Sequence, residues 1–216
     1  MDARSTGLIL RTRRLTESSL IVHWLTSDCG RVATVAKGAL RPKSPFRGKL
    51  DLFFKADISF ARSRRSELHP LREVSLRETH PALRRDLGWL RQASYGATLI
   101  EQTTETDTPL PAVYELMDGL LDHLPRQPAL ALTIFAFEMK MLGELGLSPD
   151  LSRASLSAGA REILNKLTVL DWANLPQLKP SPAQTIEIRR FLHGFLIHHL
   201  GKVPSGRGAA LADAGA

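Results

Sequence analysis

Hydrophobic and polar residues alternate in short segments over about the first 80 residues, a pattern typical of half-buried β-strands. In the clearest segment, residues 52–61, one face carries Leu52, Phe54, Ala56, Ile58 and Phe60. Four further segments have the same character: residues 7–13, 20–26, 31–37 and 67–74. Pro70 interrupts the last of them and predicts a bulge. Five short strands, with a long loop between the third and the fourth, predict a small closed barrel of the OB-fold type.

Beyond residue 81 the apolar residues recur with the helical period of about 3.6. The stripes predict five helices, within residues 83–100, 113–124, 130–145, 158–167 and 182–201. Ser181 and Gln184 form a capping box for the last helix, and Asp107 or Thr108 with Pro109 is suited to start the second. The predicted fold class is α+β: a five-stranded OB-fold barrel at 1–80, an α-helical domain at 81–204 and a flexible tail at 205–216.

The positive charge of the chain is concentrated in the predicted barrel. Residues 1–80 hold 16 Lys and Arg against 8 Asp and Glu, whereas the remaining residues hold 13 against 14. A local cationic surface of this kind attracts polyanions such as nucleic acid or anionic lipid, although a solvated basic surface is the simpler alternative. No apolar run approaches the roughly 18 residues of a membrane helix, and the N-terminal residues do not form a secretory signal. We therefore expect a cytoplasmic protein without a membrane partner.

A basic loop, defined as residues 37–49, is the main candidate for nucleic-acid binding. It contains five cations and no acid: Lys37, Arg41, Lys43, Arg47 and Lys49. Its Gly and Pro residues oppose regular structure, so the cations are displayed on a loop that can follow a phosphate backbone. Phe46 is a candidate platform for stacked bases. Phe53 is a second candidate, unless its ring covers an end of the barrel.

Two further groups of cations extend the candidate DNA-binding surface. Arg62, Arg64 and Arg65 lie in the turn before the fifth strand, where basic residues also serve solubility alone. Arg11 and Arg13 lie on the solvent side of the first strand. The turn is thus a second cationic cluster, and Arg11 and Arg13 could extend the basic surface.

The sequence argues against an enzyme and against a metal site. It contains no Walker-type loop, HExxH or GxSxG motif and no clustered carboxylates in the basic region. The three late histidines, His193, His198 and His199, do not have the spacing of two ligands on one helix face. Cys29 is the single cysteine, which excludes an internal disulfide and a cysteine-based zinc site. We expect no cofactor and no metal.

Several short runs make the chain resemble the RecO family of recombination mediators. They are residues 17–19, 30–32, 36–39, 41–44, 46–48 and 50, and the similarity continues more weakly through residues 83–87, 93–95 and 199–202. The resemblance implies binding to single- and double-stranded DNA, annealing of complementary strands and cooperation with RecR to load RecA. It also implies docking on the acidic, Phe-ended tail of the single-stranded-DNA-binding protein. Candidate cations for that tail are Arg84, Arg91 and Lys140, each of which is alternatively an ordinary surface charge.

One departure from the family pattern concerns zinc. Many members carry a four-cysteine zinc module near the position where this chain has residues 151–157, and all four ligands are absent here. The predicted function is DNA binding and annealing in RecF-type recombinational repair of damaged DNA. The alternative is an OB-fold adaptor that binds RNA or an acidic protein.

Overall fold

The computed structural model describes residues 2–212 and contains a closed barrel of five strands. The strands are β1 (Asp2–Arg14), β2 (Leu20–Thr26), β3 (Gly30–Ala36), β4 (Lys55–Ala61) and β5 (Leu68–Glu78). They pair in the order β1-β2-β3-β5-β4, and β4 closes the barrel on β1. Only the β3–β5 pair is parallel, and Val35 lies opposite Pro70 in it. The predicted five-stranded OB-fold barrel is confirmed.

Alternating side chains of these strands fill the barrel, and bulges change the alternation along β1 and β5. The core includes Ile9, Trp24 and Phe60, none of which has exposed surface. A bulge in β1 lies between Ile9 and Arg11, so Leu8, Ile9 and Leu10 are all buried instead of alternating. A second register shift lies in β5 just after Pro70, where a bulge was predicted. Bulges of this kind bend a strand so that a small sheet can close.

The fourth strand is shorter than predicted. It begins at Lys55, because residues 51–53 form a turn in which the Phe53 amide donates to the Ile9 carbonyl at 2.9 Å. Phe53 adopts a left-handed conformation (φ 64°) and is 2% exposed, whereas Leu52 is 37% exposed. The prediction that Leu52 shares one face with Ala56, Ile58 and Phe60 is therefore wrong, since alternation does not hold in a turn.

Six α-helices follow the barrel in the described part of the chain. They are α1 (Leu87–Thr103), α2 (Pro111–His123), α3 (Ala131–Glu144), α4 (Ala158–Val169), α5 (Pro182–Leu200) and the short α6 (Arg207–Ala210). The capping box of Ser181 and Gln184 is present at the start of α5, which ends at Gly201 in the left-handed conformation. Asp107 and Thr108 do not cap α2, which starts only at Pro111. Instead, Asp107 has φ 56° and its carboxylate accepts from Arg62.

The described residues form two compact units, one within Met1–Pro81 and Thr104–Asp118 and the other within Ala82–Thr103 and Gly119–Ala216. The first unit thus contains residues beyond the predicted boundary at residue 80. The Asp107 amide donates to the Arg31 carbonyl at 2.8 Å, and Lys55 pairs with Asp118 at 2.5 Å. Such long-range contacts do not appear as periodicity, so the sequence pattern did not predict them.

The second unit has its own core, which includes part of the predicted flexible tail. α3 contributes its buried residues to this core together with Leu164 of α4 and Leu192 of α5. Arg207 of α6 is 4% exposed and forms a two-bonded ion pair with the buried Glu138, at 2.6 and 2.9 Å. The prediction of a flexible tail from residue 205 is therefore corrected for residues 205–212, because the buried ion pair of Arg207 with Glu138 holds α6 in place. The remaining residues, 213–216, lie outside the described part of the chain.

None of the helices in residues 2–212 is long and apolar enough to cross a membrane.

Candidate nucleic-acid interface

Consecutive tight turns give the basic loop a defined conformation. Backbone amides of Arg41, Ser44 and Arg47 each donate to the carbonyl three residues earlier, at 3.1 to 3.2 Å. Gly38 and Gly48 adopt left-handed conformations, with φ 68° and 73°, which glycine reaches without steric cost. The loop is therefore irregular, as predicted, but its backbone is organised by its own hydrogen bonds.

Two attachments hold the loop against the barrel. Phe46 is 7% exposed and belongs to the barrel core, as does Ala39. On the other side, the Leu40 amide donates to the Ser18 carbonyl at 2.9 Å and the Gly38 amide to the Ser19 hydroxyl at 3.1 Å. The prediction that Phe46 stacks on bases is wrong, because its ring is the apolar anchor of an otherwise polar loop. Phe53 is likewise buried and does not present its ring to a ligand.

Four cations of the loop are available to a ligand. Lys37, Arg41, Lys43 and Arg47 are exposed, and none of them forms an ion pair with an acid in residues 2–212. Arg47 donates only to the Pro42 carbonyl, at 3.2 Å, which leaves its charge unneutralised. Lys49 differs, because it is half-buried and its ammonium donates to the Val74 carbonyl at 3.1 Å.

Strand register brings β1 cations to the same end of the barrel. Arg13 and Arg14 pair with Ile21 and Leu20, and Leu20 in turn pairs with Ala36, which directly precedes the loop. Both arginines are exposed and, like the four loop cations, form no ion pair with a described residue. Arg11 is also exposed and lies two residues before Arg13 in β1, in the same register. We call this region the loop end; it includes Arg14, which the sequence reasoning missed although an arginine that ends a strand is a recognisable signal.

The cations of the β4–β5 turn lie at the opposite end of the barrel, which we call the hairpin end. Arg62 and Arg31 are both bound by residues of the 104–107 segment. Arg31 is the second residue of β3, whereas the basic loop follows the last residue of β3. The seven residues of β3 separate the two ends by about 20 Å. The cations predicted to bind DNA therefore form two separate groups on the barrel.

Charge at the hairpin end is partly neutralised. Arg62 pairs with Asp107 at 2.9 Å, with its guanidinium 5.8 Å from the centre of the Phe60 ring. Arg64 and Arg65 are exposed. The side chain of Arg31 donates to the hydroxyl of Thr104 at 2.8 Å and also to its carbonyl. Polar groups from residues 104–107 thus bind Arg62 and Arg31, two cations that strand positions alone would leave available to a ligand.

The three predicted partner-binding cations are distributed over the helical unit. Arg84 is exposed in a 3₁₀ turn (Pro81–Arg85), and Arg91 is exposed on α1. Arg91 borders a pocket of about 310 Å³ between α1 and α6, beside Leu87, which is 61% exposed. Lys140 is half-buried, and its ammonium donates to the Thr168 carbonyl at the end of α4, at 3.3 Å. Burial lowers the pKa of Lys140.

A second cleft on the helical unit combines apolar and basic side chains more closely. It has a volume of about 380 Å³, lies between α5 and α6, and is lined by Ile186, Val203 and Leu211 together with Arg189, Arg190 and His193. Arg189 donates to the Leu211 carbonyl at 2.8 Å, whereas Arg190 is exposed. Sequence reasoning missed these residues, although the Arg189-Arg190 pair on an amphipathic helix was a visible signal.

Within the described residues there is no group of three or more His, Cys, Asp or Glu side chains arranged to hold a metal ion. The segment that precedes α4 is organised by hydrogen bonds, since Ser157 caps α4 and donates its hydroxyl to Glu187 at 2.6 Å. Burial, followed by the nearby Asp28 carboxylate, raises the pKa of Cys29. This thiol is therefore less reactive than an ordinary cysteine.

Comparison with known proteins identifies the family. Residues 1–80 match the model for the N terminal of recombination protein O, and residues 84–157 match the model for its C terminal. The DNA repair protein RecO of Anaeromyxobacter dehalogenans is 33% identical over 234 residues, which cover 93% of this chain and 92% of that relative. RecO of Bacillus subtilis is 27% identical over 94% of this chain and 82% of that relative. RecO of Rhodopirellula baltica is 32% identical over 69% of this chain and 56% of that relative. The chain therefore belongs to the RecO family of DNA repair proteins and has a role in recombinational repair.

Proposed function

We propose that the loop end of the barrel binds the phosphate backbones of single- and double-stranded DNA without reading base sequence. The observation that carries this proposal is the group of six exposed cations without ion-pair partners among the described residues: Arg13, Arg14, Lys37, Arg41, Lys43 and Arg47. Each cation that neutralises a phosphate releases condensed counterions, so affinity falls steeply as salt rises. Cations that are already paired with protein carboxylates release fewer, which makes the hairpin end the weaker site.

The proposal is tested by replacing three loop cations together, Arg41, Lys43 and Arg47, with Ala. We expect weaker binding to every DNA sequence and a slope of log affinity against log salt that is flatter by about 2 for single strands, since each contact contributes about 0.7. The matched control replaces Arg62, Arg64 and Arg65 with Ala, which removes the same formal charge from the hairpin end and should change the slope less. An unchanged slope in the loop variant would exclude the basic loop as the binding surface.

Annealing of complementary strands follows from the same charge. Two phosphate backbones repel each other, and a cationic surface that neutralises both lowers the barrier to pairing. No covalent step is needed, so we propose that the protein acts without enzymatic activity, and that it helps RecR to load RecA. Annealing by the purified chain, with and without the single-stranded-DNA-binding protein and across a salt series, should be fastest at low salt and lost in the triple loop variant.

The alternative ligand for the same cations is RNA or an acidic protein. Phosphate recognition alone does not separate DNA from RNA, because the 2′-hydroxyl is the group that distinguishes them. Competition between DNA and RNA oligonucleotides of equal length and sequence measures the preference directly. A clear preference for RNA would favour the adaptor function over the repair function at this surface.

For the acidic tail of the single-stranded-DNA-binding protein, we propose the cleft between α5 and α6 as the docking site. An acidic peptide with a terminal Phe requires an apolar floor beside cations, and Ile186, Val203 and Leu211 lie beside Arg190 and His193 there. Lys140 is a poorer candidate, because its ammonium is engaged with the Thr168 carbonyl. Titration of a labelled tail peptide should show weaker binding to Arg190→Glu and unchanged binding to Lys140→Glu. A loss caused instead by Arg91→Glu would move the site to the α1–α6 pocket.

A further inference from the structure

Two large apolar side chains are exposed at the loop end of the barrel. Leu15 follows β1 and is 46% exposed, and Leu40 lies in the basic loop and is 42% exposed. The Leu15 amide donates to the Ser19 carbonyl and the Leu40 amide to the Ser18 carbonyl, each at 2.9 Å. Both leucine backbones are therefore bonded to the same two-residue segment.

These leucines lie among the exposed cations. Arg13 and Arg14 directly precede Leu15, and Arg41 directly follows Leu40. The hairpin end differs, because residues 62–67 contribute none of the large apolar side chains that are exposed in the described part of the chain. Single exposed leucines are common on protein surfaces, but a pair surrounded by unneutralised cations matches a ligand that is both anionic and apolar.

Unpaired DNA has this combination of properties. In a single strand the faces of the bases are accessible next to the phosphates, whereas in a duplex they are stacked inside. Phe46 and Phe53, the aromatic residues predicted for base stacking, are both buried. The leucines therefore supply the apolar surface that is available beside the phosphate-binding cations.

We infer that Leu15 and Leu40 form an apolar ledge that contacts the faces of unpaired bases and gives the loop end a preference for single strands over duplexes. This inference rests on the proposed function, because the cations must hold the phosphates before the bases reach the ledge. The ledge contributes through burial of apolar area, which is insensitive to base identity and, unlike phosphate contacts, releases no counterions. It thus adds strand selectivity without sequence selectivity.

The test uses the full chain with Leu15→Ser and Leu40→Ser combined, and measures binding to an oligo-thymidine strand and to a duplex of equal length across a salt series. We expect affinity for the single strand to fall about tenfold, given the apolar area involved. The salt slope should stay unchanged, and duplex affinity should change by less than about twofold, since no phosphate contact is removed. The control is Ile197→Ser on α5, an apolar residue of similar exposure, 43%, which should alter neither affinity.

An abasic strand of the same length separates bases from backbone. The unsubstituted chain should bind it more weakly than oligo-thymidine, and the double variant should bind both equally. Equal losses for single strand and duplex would show that the leucines only support the loop, and an unchanged single-strand affinity would remove the ledge altogether; either result overturns the inference. Loss of binding to anionic lipid vesicles without loss for single strands would overturn it in favour of a membrane surface.

Failure of the inference and failure of the proposed function give different results. If Arg41, Lys43 and Arg47 can be replaced with Ala without loss of duplex binding, the loop end is not the phosphate site and the ledge has no ligand beside it. If that triple variant loses binding to both kinds of DNA but the leucine variant binds both normally, only the ledge is excluded.

Discussion

Both ends of the barrel carry a group of cations, but the ends differ in how much of that charge a ligand can reach. At the loop end, Arg41 and Lys43 are exposed and form no ion pair with a described residue. At the hairpin end, Arg62 is paired with Asp107, and the Arg31 side chain is bonded to Thr104. The comparison shows that a count of cations does not measure a binding surface, because neighbouring carboxylates and carbonyls decide which charges remain available.

The difference comes from one segment that is distant in sequence. Residues 104–108 pass the start of β3, where Arg31 and Thr106 form a parallel bridge and the Asp107 amide bonds the Arg31 carbonyl. Thr108 approaches so closely that a Cβ on Gly30 would lie 2.0 Å from its carbonyl oxygen. The hairpin end is thus occupied by the chain itself.

The largest expected effect concerns the anchor of the loop end. Phe46→Ala removes a buried ring from the barrel core and should lower the free energy of unfolding by about 3 to 5 kcal/mol, as is usual for such truncations. Urea denaturation measures this loss, and Leu40→Ala, an exposed neighbour in the same loop, should change it by less than about 0.5 kcal/mol. Equal effects of the two substitutions would mean that the ring does not anchor the loop.

The position of the basic loop could be predicted, but the orientation of its aromatic residue could not. Gly and Pro exclude a helix between residues 37 and 49, and the lack of acids there leaves its cations unpaired, so both properties follow from local sequence. Phe46 was misassigned because its polar neighbours suggested exposure. A single apolar residue in a polar loop is instead the one with most to gain from burial, and only the shape of the barrel end determines where it fits.

The pairing of Arg62 is a second property that local sequence does not contain. Its partner Asp107 is 45 residues away and has the appearance of a helix cap in the sequence. The helices themselves were predictable, because their apolar stripes and the Ser181 capping box are local signals. Long-range polar contacts carry no such period, so the division of cations into available and occupied ones required the structure.

Two glycines with the same backbone conformation allow the ends to be compared directly. Gly30 and Gly48 both have φ 73°, but a Cβ on Gly30 meets the Thr108 carbonyl whereas one on Gly48 meets nothing within 4 Å. Gly48→Ala should cost about 1 kcal/mol of unfolding free energy, from left-handed strain alone. Gly30→Ala should cost about 3 kcal/mol, because overpacking against the segment adds to that strain. If urea denaturation gave equal costs, the hairpin end would not be tightly covered.

Neutralising Asp107 should make the hairpin end more like the loop end. Asp107→Asn removes the charge that pairs with Arg62, and Asn tolerates the left-handed conformation at this position, φ 56°. In a chain whose loop cations Arg41, Lys43 and Arg47 are replaced with Ala, we expect duplex affinity to rise up to about fivefold at low salt, the scale of one surface ion pair. Adding Arg62→Ala should abolish the gain; a gain that survives would have to come from another cation.

The smallest expected effect concerns the exposed acid of each end. Glu17 lies in the β1–β2 loop beside the loop-end cations, and Glu67 lies beside Arg65 and Ser66 at the hairpin end. Glu17→Gln should raise DNA affinity up to about twofold at low salt, because one carboxylate no longer repels the phosphates, and the gain should disappear near 1 M salt, where screening acts within about 3 Å.

Glu67→Gln is the matched control, since it makes the same change of charge at the hairpin end, which the length of β3 separates from the loop end by about 20 Å. If DNA occupies the loop end, this substitution should leave affinity unchanged at about 0.1 M salt and above, because exposed charges separated by more than about 10 Å are screened there. Equal gains from the two substitutions would mean that DNA responds to net charge alone and not to one end of the barrel. A larger gain from Glu67→Gln would reverse the assignment of the two ends.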